Sequence, residues 1–213
     1  MSVKIYLIRH GESLGNAARK ILGHTDMGLS DVGIRQAEAA ASALADIKFD
    51  IIYSSDLKRA LQTALPHAEL RKMSVIPHSD LREIYVGDWE GKSVPEIIDE
   101  YGDVYEKEWI AKFGTFRLPG GESVQEAGER FYNAIVDIAK LNDGKTILVA
   151  AHAAVIRAFW GKINGIKPEE LAEKIIFPTN ASYSLIEYKE GKIEAISYSV
   201  DEYLAEVGIT NFN

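Results

Sequence analysis

Apolar runs and amphipathic stretches take turns along this chain. Val3-Lys4-Ile5-Tyr6-Leu7-Ile8 is rich in β-branched and aromatic residues and ends at Arg9-His10-Gly11-Glu12, which reads as a buried strand with a charged tip. Ser30 then opens a helical period with Ile34, Ala37, Ala41 and Leu44 on one face, followed by a short strand, Ile51-Ile52-Tyr53-Ser54. Ser55 is expected to cap a second helix carrying Leu57, Ala60, Leu61 and Ala64, and Ser74 to Pro77 is a third extended segment. Ser123-Val124-Gln125-Glu126 is a capping box ahead of Ala127, Phe131, Ile135 and Ile138. Asn142-Asp143-Gly144 turns the chain into the apolar strand Thr146 to Ala150, and a helix is expected from about Ala153 to Asn164. Ser182 to Tyr188 and Lys192 to Tyr198 form a hairpin about Glu190-Gly191.

This alternation predicts an α/β fold, a three-layer α/β/α sandwich on a mostly parallel central sheet. It breaks at about residues 84–122, where Tyr85, Trp89, Tyr101, Tyr105, Trp109, Phe113 and Phe116 crowd together. That stretch reads as a mostly helical insertion over the site. No internal repeat or low-complexity tract is present. With 213 residues, 46% hydrophobic and 26% charged, residues 1–213 are expected to form a single domain with one sizeable core.

A net charge of −8 and a pI near 5.2 oppose nucleic-acid or anionic-membrane partners, which need a basic face. The absence of cysteine removes disulfides, thiolate metal sites and a cysteine nucleophile, and fits a cytoplasmic protein. No signal peptide is evident, and the longest apolar run, Ile147 to Ile156, is broken by His152 and too short to span a bilayer.

Candidate chemistry gathers at the strand tips. Arg9 and His10 are costly to desolvate unless an anion meets them, and ligands of open α/β sheets bind beyond the carboxyl ends of the strands. Arg59, near the start of its helix, is opposed by the macrodipole unless an anion lies in front. His152 sits between the strand Thr146 to Ala150 and a helix whose first free amides belong to Ala153, Ala154 and Val155. Taken singly, each reads more readily as an exposed arginine or a core histidine than as a catalytic group. Together, three strand-to-helix junctions present groups suited to a phosphate.

Other motifs compete. Gly11-Glu12-Ser13-Leu14-Gly15 matches the nucleophile elbow of serine hydrolases, although no earlier strand supplies its oxyanion donor. Gly87 to Ser93 resembles a phosphate-binding loop but is one residue short between its glycines and holds two carboxylates. Asn180-Ala181-Ser182 is a glycosylation sequon, meaningful only on secretion. His24, His67 and His78 lack partners at metal-ligand spacing and read as surface or packed histidines.

Leu7-Ile8-Arg9-His10-Gly11-Glu12-Ser13 with Asn16, then Gly23, Asp26, Leu29-Ser30 and Gly33, then Ser54-Ser55-Asp56-Leu57-Lys58-Arg59-Ala60 with Gln62-Thr63-Ala64, resembles the histidine phosphatase superfamily, the phosphoglycerate mutase-like group. The resemblance continues through Leu81-Arg82-Glu83, Gly87 to Gly91, Pro119 to Ser123 and His152 with Val155-Ile156-Arg157. It implies that His10 is the nucleophile that takes the phosphoryl group, that Arg9, Asn16, Arg59 and His152 hold its oxygens, and that Glu83 is the proton donor and later the base for water. The physics agrees: phosphoryl transfer needs positioning and positive charge, and clustered cations keep His10 neutral. A glutamate in that role calls for a partly buried position, which the insertion would provide.

The resemblance implies no metal and no cofactor. Members often carry glycine after the second histidine, where Ala153-Ala154 stands here, so Ala153 is the expected backbone contact to phosphate. Cofactor-dependent mutases follow the acid with an arginine and, two residues on, a tyrosine. Ile84 and Val86 stand at those positions. Over the insertion, Lys92, Lys107, Lys112 and Arg117 face Asp88, Glu90, Glu96, Asp99, Glu100, Asp103, Glu106 and Glu108, so an acidic, aromatic wall is expected at the site.

The expected activity is metal-independent hydrolysis of a small phosphorylated metabolite through phosphohistidine. A phosphoglycerate mutase using the same residues, a catalytically weak phospho-ligand binder and a serine hydrolase acting through Ser13 are the alternatives. The partner is a small-molecule phosphate ester, and a homodimer is compatible with the sequence.

Overall fold

The computed structural model describes residues 1–210. β1 (Val3–Arg9) leads through a single turn, α1 (Leu14–Ala17), to α2 (Asp31–Ala43), β2 (Ile51–Ser54), α3 (Lys58–Arg71) and β3 (Val75–Pro77). Next come α4 (Val94–Tyr101), α5 (Val124–Leu141), β4 (Thr146–Ala151), α6 (Ala153–Ile163), α7 (Leu171–Lys174) and the hairpin β5 (Tyr183–Lys189) and β6 (Lys192–Val200). The sheet runs β3-β2-β4-β1-β5-β6. Its first four strands are parallel, and the hairpin adds an antiparallel edge. The expected α/β sandwich with a mostly parallel sheet is thus present.

Strand alternation sorts the core into two layers. Ile5 and Leu7 of β1 and Ile147 and Val149 of β4 face α5, α6 and the aromatic segment. Tyr6, Ile8, Ile52, Leu148 and Ala150 point the other way, onto Ala40 of α2 and Ala60, Ala64 and Ala68 of α3. The small alanines let these helices lie close on the sheet. Register then places the two key tips side by side, because Arg9 pairs with Ala151. Residues 10 and 152 therefore leave the sheet at the same level.

Local signals behave as their chemistry demands. Ser30 Oγ accepts from Gly33 N at 3.0 Å at the start of α2, and the Ser123–Glu126 capping box is formed at the start of α5. Glu190 and Gly191, both at positive φ, make the tight hairpin turn. Ser55 departs from expectation: α3 starts at Lys58 with Leu57 before it and no side-chain cap. Buried at a crowded strand tip, the Ser55 hydroxyl finds a histidine instead.

Residues 84–122 contain a 3₁₀ turn (Gly87–Trp89), α4, a π-helical turn (Tyr105–Ile110) and a second 3₁₀ turn (Phe113–Thr115). Trp89 is fully buried at their centre, with ring centroids of Tyr101, Tyr105, Trp109 and Phe116 at 5.7–6.3 Å. Phe113 packs on Phe177 at 4.9 Å, and the Arg157 guanidinium covers both rings. This aromatic knot docks the segment onto the sheet beside the strand tips. Among the described residues no helix is long and apolar enough to cross a membrane.

Candidate active site

A cleft opens at the carboxyl ends of β1 and β4, lined by Arg9, His10, Asn16, Arg59, Glu83 and Ala153 together with Lys20 and apolar side chains. His10 directs Nδ1 to the Gly11 carbonyl at 2.7 Å. A carbonyl only accepts, so Nδ1 carries the proton and the neutral ring keeps its lone pair on Nε2. Burial holds the His10 pKa well below the ordinary histidine value, and the Arg59 and Arg9 guanidinium groups push the same way. A neutral, tautomerically fixed imidazole is the form that attacks an electrophile.

Both arginines donate to backbone carbonyls. Arg59 is 1% exposed and donates to Gly23 O at 2.7 Å and Thr25 O at 2.9 Å. Arg9, 2% exposed, donates to Pro178 O at 2.5 Å. Burial lowers both to about 10, opposed by the Glu83 carboxylate, so both remain cationic at neutral pH. Thr63, one turn beyond Arg59 on α3, accepts from Gly11 N at 3.0 Å and donates to Arg59 O. It locks the residue after the nucleophile to the arginine helix.

His152 is fully buried, and its ring centroid lies 5.1 Å from that of His10. It does not line the cleft, lying behind His10 with Nε2 2.8 Å from Ser55 Oγ. Burial and the neighbouring Arg59 keep its pKa well below the ordinary value. Glu83 is half-buried. Its carboxylate accepts from Ile84 N, Ala154 N and Val155 N at 2.9–3.2 Å, while its backbone carbonyl accepts from His24 Nε2 and Arg130. Glu83 thus occupies the first turn of α6, and the Ala153 amide makes no hydrogen bond among the described residues.

The competing motifs resolve on geometry. Ser13 is fully buried, caps α1 and exchanges hydrogen bonds with Asn16, while His152 bonds Ser55, so no serine–histidine pair forms at the elbow. Gly87 to Ser93 is not a phosphate cradle: Glu90 spends its carboxylate on the backbone of His24 and Thr25. Asn180 of the sequon is fully buried, donating to His10 O at 3.1 Å.

The expected acidic wall is a correction. The residues that the insertion turns toward the cleft are Ile84, Val86, Tyr105 and Trp109. Its acids lie outside, paired as Glu100–Lys92, Asp103–Lys107 and Glu108–Lys112, because a charge facing an apolar pocket loses hydration without gaining a partner. Arg117 likewise turns away, to Glu126.

Lys20, Ser55, Thr63 and Asn180 are the site residues that sequence reasoning gave no role. Thr63 was signalled by its i+4 spacing from Arg59. Ser55 and Asn180 meet His152 and His10 only through tertiary contact.

A family model for the histidine phosphatase superfamily (branch 1) matches residues 5–201. The chain belongs to that superfamily. Phosphoserine phosphatase 1 of Hydrogenobacter thermophilus is 31% identical over 205 residues, covering 96% of this histidine phosphatase and 95% of the relative. GpmB of Yersinia pestis, a probable phosphoglycerate mutase, is 31% identical over 188 residues, 88% of this chain and 86% of its own. Among solved structures, a mutant phosphoserine phosphatase from Entamoeba histolytica in complex with phosphoserine superposes with a TM-score of 0.82 at 29% identity, covering 95% of this histidine phosphatase and 99% of that chain.

Proposed function

We propose that this histidine phosphatase hydrolyses phosphomonoesters of small molecules through a phosphohistidine at His10, without a metal ion. The observation that carries the proposal is the His10 ring: neutral, with Nδ1 tied to Gly11 O and Nε2 making no hydrogen bond among the described residues, beside two buried guanidinium groups. Nε2 attacks phosphorus as the bond to the ester oxygen breaks. Arg9, Arg59, Asn16 and the Ala153 amide hold the three equatorial oxygens, where charge accumulates, while His152, held by Ser55, backs the His10 ring from behind the cleft. Glu83, protonated, gives its proton to the leaving oxygen. As carboxylate it then takes one from water, whose oxygen attacks phosphorus while the N–P bond breaks, returning His10 and releasing inorganic phosphate.

Hydrolysis is favoured over mutase chemistry by what surrounds the phosphoryl cradle. A mutase must retain a doubly anionic intermediate while it turns, which calls for charge-assisted donors on the far wall. Among the described lining residues, Lys20 is the one cation outside the cradle, and Ile84 and Val86 are apolar. We assign the enzyme to the cytoplasm and allow a homodimer. The test compares phosphate release from a panel of monoesters with interconversion of 2- and 3-phosphoglycerate primed by 2,3-bisphosphoglycerate. Hydrolysis of at least one ester is expected to exceed interconversion. A primed mutase rate above every phosphatase rate would overturn the assignment.

A further inference from the structure

Once a phosphoryl group occupies the cradle, the rest of the cleft has one dominant chemistry. Ile21, Leu22, Ile84, Val86, Trp109 and Phe177 line it. These side chains come from three separate parts of the chain: the loop after α1, the start of the insertion with its π-helical turn, and the segment after α7. Five of them are buried, and the aromatic knot behind Trp109 and Phe177 fixes the wall. A wall assembled from such distant segments is a built feature of the fold.

The polar groups that would recognise a hydroxylated or zwitterionic alcohol are otherwise engaged. Glu90 is spent on backbone amides, Arg130 on Glu122 and the carbonyls of residues 80, 82 and 83, and Arg117 on Glu126. Among the described residues beyond the cradle, the cleft is lined by two further polar side chains, Tyr105, which is uncharged, and Lys20, a point charge without the fork that grips a carboxylate in two places. A carboxylate or ammonium laid against these apolar side chains loses water and finds no bidentate partner, whereas each methylene gains from burial.

We infer that the alcohol half of the preferred substrate is apolar, an alkyl or aryl phosphomonoester rather than an amino-acid, sugar or glycerate phosphate. The inference rests on the hydrolase reading above and specifies its substrate class. The wall selects by burying the hydrocarbon, while the cradle does the same work for every ester.

The test is kcat/KM for n-alkyl phosphates from ethyl to pentyl, whose leaving alkoxides differ little in basicity, so that binding alone varies. Each methylene is expected to raise kcat/KM by about threefold, giving more than about tenfold from ethyl to pentyl. Propyl phosphate should also exceed phosphoserine, which has the same three-carbon skeleton with charges added. In Ile21→Gln, a change at the half-buried rim, the pentyl-to-ethyl ratio should fall at least about threefold, a ratio that partial misfolding leaves untouched because both esters meet the same protein. A flat or falling series, or phosphoserine above pentyl phosphate, with phosphate still released, overturns the inference and leaves the hydrolase reading standing. If no ester releases phosphate and His10 takes no label, both are overturned.

Discussion

Removing the Ser55 hydroxyl separates two roles that the residue could have held. Ser55 Oγ stands 2.8 Å from His152 Nε2, against 3.4 Å to Leu57 N, so the hydroxyl serves the histidine and not the helix start. Both side chains are fully buried, and His152 Nδ1 has no partner among the described residues. Ser55→Ala keeps the backbone bond from Ser55 N to Ala150 O but leaves the His152 ring with neither nitrogen satisfied. An orphaned buried polar group costs about 1–3 kcal/mol. Carried into the transition state as a displaced imidazole, that cost is a loss of about 5- to 150-fold in kcat. The assay is kcat and KM with p-nitrophenyl phosphate, beside a urea titration of the same protein. A kcat lowered by at least about fivefold, partly restored in Ser55→Thr, is expected. A kcat within twofold of wild type, with only the loss of about 1 kcal/mol in stability that a helix cap gives, would refute the reasoning.

Glu83→Gln should slow alkyl phosphates far more than p-nitrophenyl phosphate, because a nitrophenolate leaves without a proton; equal losses would remove Glu83 as the acid. Arg59→Lys cannot reach Gly23 O and Thr25 O while also presenting a planar donor pair, so kcat/KM should fall by about two orders of magnitude with folding retained; a loss under threefold would contradict it. Since arginine, asparagine and amide donors supply the cradle, EDTA should leave turnover unchanged, and a loss restored by magnesium would count against the account. His67, buried beside Arg71, is lowered from 6.5 to about 3. Its unfolded form holds the extra proton between those values, so stability is lost as pH falls below about 6.5, by about 1.4 kcal/mol per unit for one proton. Relative to wild type, His67→Leu should therefore gain stability between pH 7.5 and pH 5 in urea unfolding, and a constant difference would refute it.

Much of this molecule was legible because its signals are local. The even and odd residues of β1 and β4 divide between two cores as a period of two requires, and Ser30, Ser123 and Glu190-Gly191 do what their side chains or backbone freedom dictate. His10, Arg59 and His152 lie at junctions whose positions follow from those elements. What stayed hidden depends on contacts between distant segments. Ser55 has the sequence setting of a cap, and only the neighbouring tip of β4 gives its hydroxyl a better partner. Asn180 reads as a sequon until the loop before β5 folds beneath His10. The insertion's acids predict a charged wall by composition, but composition carries no direction, and desolvation turns Glu100, Asp103 and Glu108 outward while Val86 and Trp109 turn in.

The central claim is a covalent bond between phosphorus and one nitrogen of His10, and rapid quenching during turnover of a labelled monoester tests it most directly. The phosphoenzyme should be acid-labile and base-stable, map by mass spectrometry to the peptide containing His10, and be absent from His10→Ala. Label on Ser13 or another hydroxyl, or an acid-stable adduct that survives in His10→Ala, would contradict the account.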